Sequence, residues 1–234
     1  MSAPAFSLDT VGTLRGAGII LAKELRAEWR TRELMNTTIV FALMVVVLFS
    51  FTFDPSDAES RRYASGLLWL AFLFAGSLML HPSFAREQSN DTLYALRMAP
   101  VAPSSILLGK LLANFIFMSL AELVLLPVFT VLYNVQILPV LDQLLLVLAL
   151  GTLGLSVTGT VFSAIAAQAR MRELLLPLLL LPILTPVLIA SVEATTGLLS
   201  DPPELAATPL KFLVGFDIIF LTASYFLFDY LCEE

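Results

Sequence analysis

The chain has 234 residues, of which 58% are hydrophobic and 14% charged. A soluble domain is roughly 45–50% apolar and about 25% charged, so this composition excludes one and describes an integral membrane protein. A net charge of −6 argues against a nucleic-acid partner, because it would repel a phosphate backbone. One cysteine, Cys232, and one histidine, His81, supply neither an intrachain disulfide nor a metal cage.

The first 35 residues carry Arg15, Lys23, Arg26, Arg30 and Arg32 and no apolar run bounded by a cleavage site, so no removable signal peptide is expected. Residues 11–33 read as a helix lying in the membrane interface. Val11, Leu14, Leu21, Leu25 and Trp29 share one side, while Lys23, Arg26 and Arg30 on the other reach toward anionic headgroups. An ordinary solvated helix is the alternative.

Residues 36–53 carry no charge and form the first predicted span. The acidic DPSDAESRR closes it. The second span, 64–82, ends at His81-Pro82, where proline is a stop signal. The third, 111–132, contains Glu122 near its middle and Pro127 beyond it. The fourth, 140–169, carries Gly159, Ser163 and Ala167 at four-residue steps, a spacing that lets two helix backbones approach closely. The fifth, 174–192, holds Pro177, Pro182 and Pro186 and is expected to be kinked or broken. The sixth, 211–231, is rich in aromatics and contains Asp217. The fold class that follows is an all-α polytopic membrane protein with six transmembrane helices in one domain, 1–234.

Six spans place both termini on one side. Arg15, Lys23, Arg26, Arg30, Arg32, Arg86, Arg97, Lys110, Arg170 and Arg172 fall on that side, against Arg61, Arg62 and Lys211 on the other. The basic-residue bias makes the first side cytoplasmic. The segment 84–110 therefore faces the cytoplasm. Within it Thr92 caps a short helix carrying Leu93, Leu96 and Met98, and Pro100 and Pro103 end it.

This segment resembles the loop between the second and third spans of ABC-2 exporter permeases. In that class it runs Glu, Asp-Gly-Thr-Leu-Glu, Leu, Pro, then Gly-Lys opening the third span. Here Glu87, Asn90-Asp91-Thr92-Leu93-Tyr94, Leu96, Pro100 and Gly109-Lys110 match it, with Asp91 in place of glycine and Tyr94 in place of glutamate. With KELRAEWRTRE before the first span and the proline-rich LPLLLLPILTPVLI, the whole chain is similar to the CcmB family of haem exporter B permeases of cytochrome c maturation. The resemblance implies an ABC-2 exporter-type permease of a bacterial-type inner membrane, with an N-terminal interfacial helix and a cytoplasmic coupling helix between spans two and three. It implies a separate CcmA-like ATPase, CcmC-, CcmD- and CcmE-like membrane partners, a second copy of the chain, and haem as substrate.

No G-x-x-x-x-G-K-[ST] phosphate cradle occurs, so ATP is expected on the partner and this chain is expected to be a non-catalytic subunit. The resemblance assigns ATPase coupling to Glu87, Asp91, Thr92, Leu93, Leu96 and Pro100, while the charge pattern of the first helix assigns interfacial anchoring to Lys23, Arg26, Trp29 and Arg30. A carboxylate inside a membrane costs about 2.5–3.5 kcal/mol on insertion scales, so Glu122 and Asp217 should face protein or water. They either serve function or are satisfied structurally. His81 has the chemistry of a haem ligand, but a polar residue closing a span is the commoner role. Phe212, Phe216, Phe220, Tyr225, Phe226, Phe228 and Tyr230 either line a path for a flat macrocycle or fill helix contacts and face lipid. Two other functions stay open: an ABC-2 permease for a lipid or drug, and an adaptor that transmits ATPase motion to a haem-handling partner without translocating anything.

Overall fold

Hydrocarbon offers no hydrogen-bond partners, so a spanning backbone must satisfy itself. The computed structural model describes residues 10–52, 58–80, 84, 103–167 and 172–233, and its long elements are all helices. They are α1 (Thr10–Thr31), α2 (Glu33–Thr52), α3 (Ala58–Leu80), α4 (Pro103–Leu132), α5 (Leu141–Ala167), α6 (Arg172–Leu198) and α7 (Ala207–Glu233), with a 3₁₀ turn at Leu138–Val140 before α5. Six of them, α2 to α7, are long and apolar enough to cross a membrane, which makes this an all-α, multi-pass membrane protein.

The described residues bear on two expectations about proline. Pro103 opens α4, eight residues before the anticipated start of the third span, and the short helix it was expected to end lies outside the described residues. The first turn of a helix tolerates proline because its N–H would be unpaired there and its φ is already helical. Pro177, Pro182 and Pro186 do not break the fifth span, since α6 is helical without interruption from Arg172 to Leu198. With no water competing for the remaining backbone bonds, a spanning helix survives the loss of a few N–H donors.

The bundle is built around α5, the most buried of the six spans, whereas α2 is the least buried. Glycines explain how α5 reaches the centre. A Cβ on Gly151 would lie 2.1 Å from the Trp69 ring of α3 and 2.8 Å from Ser191 of α6. A Cβ on Gly159 would meet Leu80 of α3 at 2.1 Å, and Ser163 donates to the Leu80 carbonyl at 2.7 Å, so this small-residue face packs on the end of α3. Small residues are the usual means of helix approach in lipid, where no hydrophobic driving force acts between spans.

Hydroxyls then join the helices. Thr152 and Thr160 of α5 bond Glu122 and Asn114 of α4, and Ser156 donates to the Leu111 carbonyl at 2.8 Å. Trp69 Nε1 donates to Thr195 of α6 at 2.9 Å, beside the hydroxyl pair Ser65–Thr196.

Candidate functional site

The residues expected to couple to an ATPase, Glu87, Asp91, Thr92, Leu93, Leu96 and Pro100, lie outside the described residues, as does His81. What is described is the frame on either side: Phe84, the opening turns of α4, and α1 packed against them.

α1 presents to the bundle the stripe Ala17, Ile20, Glu24 and Glu28, spaced by three or four residues as one helix face requires. Lys23, Arg26, Trp29 and Arg30 all stand on exposed positions. Along the predicted apolar side Leu14 and Trp29 are exposed while Leu21 and Leu25 pack on the core. The approach is close at Gly109, where a Cβ would lie 2.7 Å from Ile20 Cβ and 2.8 Å from the Ala17 carbonyl oxygen. One residue on, Lys110 is buried to 1% exposure. Its Nζ donates to Glu24 Oε1 at 3.0 Å and sits 4.8 Å from the centre of the Phe84 ring. Burial pushes the Glu24 carboxyl up, but Lys110 and then Lys23, at 3.4 Å, outweigh it and hold Glu24 below the ordinary 4.5.

The turn from α1 into α2 is equally specific. Arg32 adopts φ 52° between the two helices, and its guanidinium lies 5.6 Å from the Trp29 ring centre. Glu28 Oε1 accepts the Met35 N–H at 2.9 Å, satisfying a donor that the first turn of α2 leaves open. One acidic stripe on α1 therefore grips α4 through Glu24 and α2 through Glu28. Sequence reasoning named Lys110 but neither glutamate. Two acids four residues apart, in line with Ala17 and Ile20, were the signal: a carboxylate on a buried face needs a cation or a donor.

The two intramembrane carboxyls flank α5 on different sides. Glu122 of α4 accepts the Thr152 hydroxyl. Asp217 of α7 packs against Gly154, and neither of its oxygens has a hydrogen-bond partner among the described residues. They are not brought together. Along α7 the aromatics stack on one another, Phe216 on Phe220 at 4.0 Å between ring centres, with Phe216 buried and Phe212 and Phe226 exposed. Phe216 thus makes helix contact while Phe212 and Phe226 form outward-facing surface.

A family model described as CcmB protein matches residues 16–230. The chain belongs to the CcmB family. The match takes in α1 from its buried stripe onward, all of α2 to α6 and nearly all of α7. Heme exporter protein B of Rhodobacter capsulatus is 35% identical over 174 residues, 74% of this chain and 79% of that protein. Heme exporter protein B of Pseudomonas aeruginosa is 31% identical over 80% of this chain and 83% of its own length. The Bradyrhizobium diazoefficiens protein of the same name is 29% identical over 88% and 92%. The resemblance first seen in the 84–110 segment thus extends to the chain as a whole.

Proposed function

We propose that this chain is the membrane subunit through which a separate ABC ATPase drives the haem-export step of cytochrome c maturation. The observation that carries this reading is the CcmB match across residues 16–230, with haem exporters as the similar proteins. Those relatives favour haem over a lipid or drug. The chain itself is non-catalytic: ATP is bound and hydrolysed by a CcmA-like partner, and CcmC-, CcmD- and CcmE-like proteins and a second copy complete the assembly.

In this reading the chain sits in the inner membrane with both termini cytoplasmic, as the distribution of Lys and Arg supports. Glu87, Asp91, Thr92, Leu93, Leu96 and Pro100 dock on the ATPase. Displacement of the 84–110 segment enters α4 at Pro103, and the contacts of Gly109 and Lys110 carry it into α1. Lys23, Arg26, Trp29 and Arg30 hold α1 at the headgroup level while it moves. The test reverses the charges of Glu87 and Asp91 to lysine and measures recovery of the ATPase in a pull-down together with cytochrome c yield. Both are expected to fall; unchanged binding with unchanged yield sinks the docking assignment.

A second reading, the non-translocating adaptor, is favoured by the tight filling around α5, where Trp69 and Leu80 occupy the space that glycines leave. Haem accumulation in proteoliposomes holding this chain and its ATPase separates the two. ATP-dependent uptake supports the exporter and none supports the adaptor.

A further inference from the structure

Threonines in these spans have a default hydrogen bond. Thr52, Thr130, Thr185 and Thr222 each donate to the carbonyl four residues earlier, at 2.6 to 3.3 Å. Such back-bonding costs a spanning helix little and leaves no hydroxyl stranded in hydrocarbon. Thr38 departs from it. Its hydroxyl is buried, the residue being 2% exposed, and has no partner among the described residues.

Thr38 lines a cavity between α2, α3, α4 and α5, whose other walls are Phe72, Ala75, Gly76, Met118, Ala121, Leu125, Leu155 and one acid, Glu122. The space is about 10 Å³, at the threshold of about 10–15 Å³ for one water and far below the room needed by haem or a lipid chain. A water needs at least two polar partners. The cavity offers two: the unspent Thr38 hydroxyl, and a Glu122 carboxyl that accepts Thr152 on one oxygen and has lone pairs to spare. A metal ion of the calcium type would need several more oxygens than these walls provide.

We propose that one water molecule occupies this cavity and bridges the Thr38 hydroxyl on α2 to the Glu122 carboxyl on α4. The Thr38 O–H donates to the water and the water donates to Glu122. The bridge explains how the least buried span is held. α2 meets the bundle along the narrow stripe Thr38, Ala42 and Val46, and at the far end of the stripe Tyr133 donates to the Val46 carbonyl at 3.2 Å. The water is the matching polar tie at the near end, close to the turn that joins α2 to α1.

The test is a map of the full chain in lipid nanodiscs at a resolution that places waters, with infrared spectra of Thr38→Val, Thr38→Ser and Glu122→Gln. One density peak within hydrogen-bonding reach of both groups is expected. The carboxyl bands that vanish in Glu122→Gln should shift in Thr38→Val and hold in Thr38→Ser. An empty cavity, or a Thr38 hydroxyl turned onto the Leu34 carbonyl, overturns the proposal. So do carboxyl bands that stay put in Thr38→Val. Should that variant fail to fold, the wild-type map decides alone.

Discussion

Lys110 carries a full charge at 1% exposure, which is tolerable only because Glu24 and the face of Phe84 replace its water. Lys110→Met keeps the apolar stem and removes the charge. It leaves the Glu24 carboxylate, at 24% side-chain exposure, without its closest cation. The expected loss is about 2 kcal/mol, the usual value of a hydrogen bond to a charged group. It is read as a lower thermal midpoint of the purified chain, and Lys110→Met/Glu24→Gln should recover part of it, since removing both partners strands no charge. The pair also fixes a pH response. Glu24 is held below its ordinary 4.5, so its contribution is fully present above that value and is lost as pH falls through the depressed one. Trp29 emission should report α1 docked at pH 5 and released only in stronger acid, with that acid step weakened or absent in Lys110→Met.

At the scale of elements, the α1–α4 junction depends on the absence of a side chain. Gly109→Ala places a Cβ against the Ala17 carbonyl, a backbone atom that cannot swing aside, so α1 must lift from α4. Overpacking of this kind costs about 1–3 kcal/mol. The variant should insert and bind the ATPase yet lose cytochrome c yield, and normal yield would show that α1 need not follow α4. How far such elements were legible follows from what each signal measures. Apolar length identifies spans because hydrocarbon thickness sets it, and all six were found that way. The step of Gly159 and Ser163 announced close packing but not that α3 would supply Leu80, since spacing on one helix says nothing about its neighbour. The prolines of the fifth span signalled a kink or a break, and the helix is unbroken because a spanning backbone can re-satisfy the groups they free. The Glu24 and Glu28 stripe went unread because the face of α1 was assigned from its large apolar residues, and α1 turned small and acidic residues inward instead.

For the whole molecule, the question is whether haem could pass within one protomer. A pocket for a ligand of that class occupies about 300–1,000 Å³, whereas the cavity beside Glu122 holds about 10 Å³. A route through that cavity would therefore require the spans around it to part, while a route between copies or along a partner would not. Where α3 begins and α6 ends, the Ser65 and Thr196 hydroxyls touch, so sulfur atoms at these positions can meet at bonding distance. Ser65→Cys/Thr196→Cys, oxidised in isolated membranes, locks α3 to α6 beside Trp69 and Thr195, two further residues that tie the same helices. With α5 wedged against both by Gly151, the lock holds three of the six spans together. ATP-dependent haem loading of the cytochrome c maturation system in those membranes should proceed with the disulfide closed and be indifferent to reductant. Loss on oxidation, restored by reductant, would mean that α3 and α6 part during the cycle and would put the haem route inside the protomer.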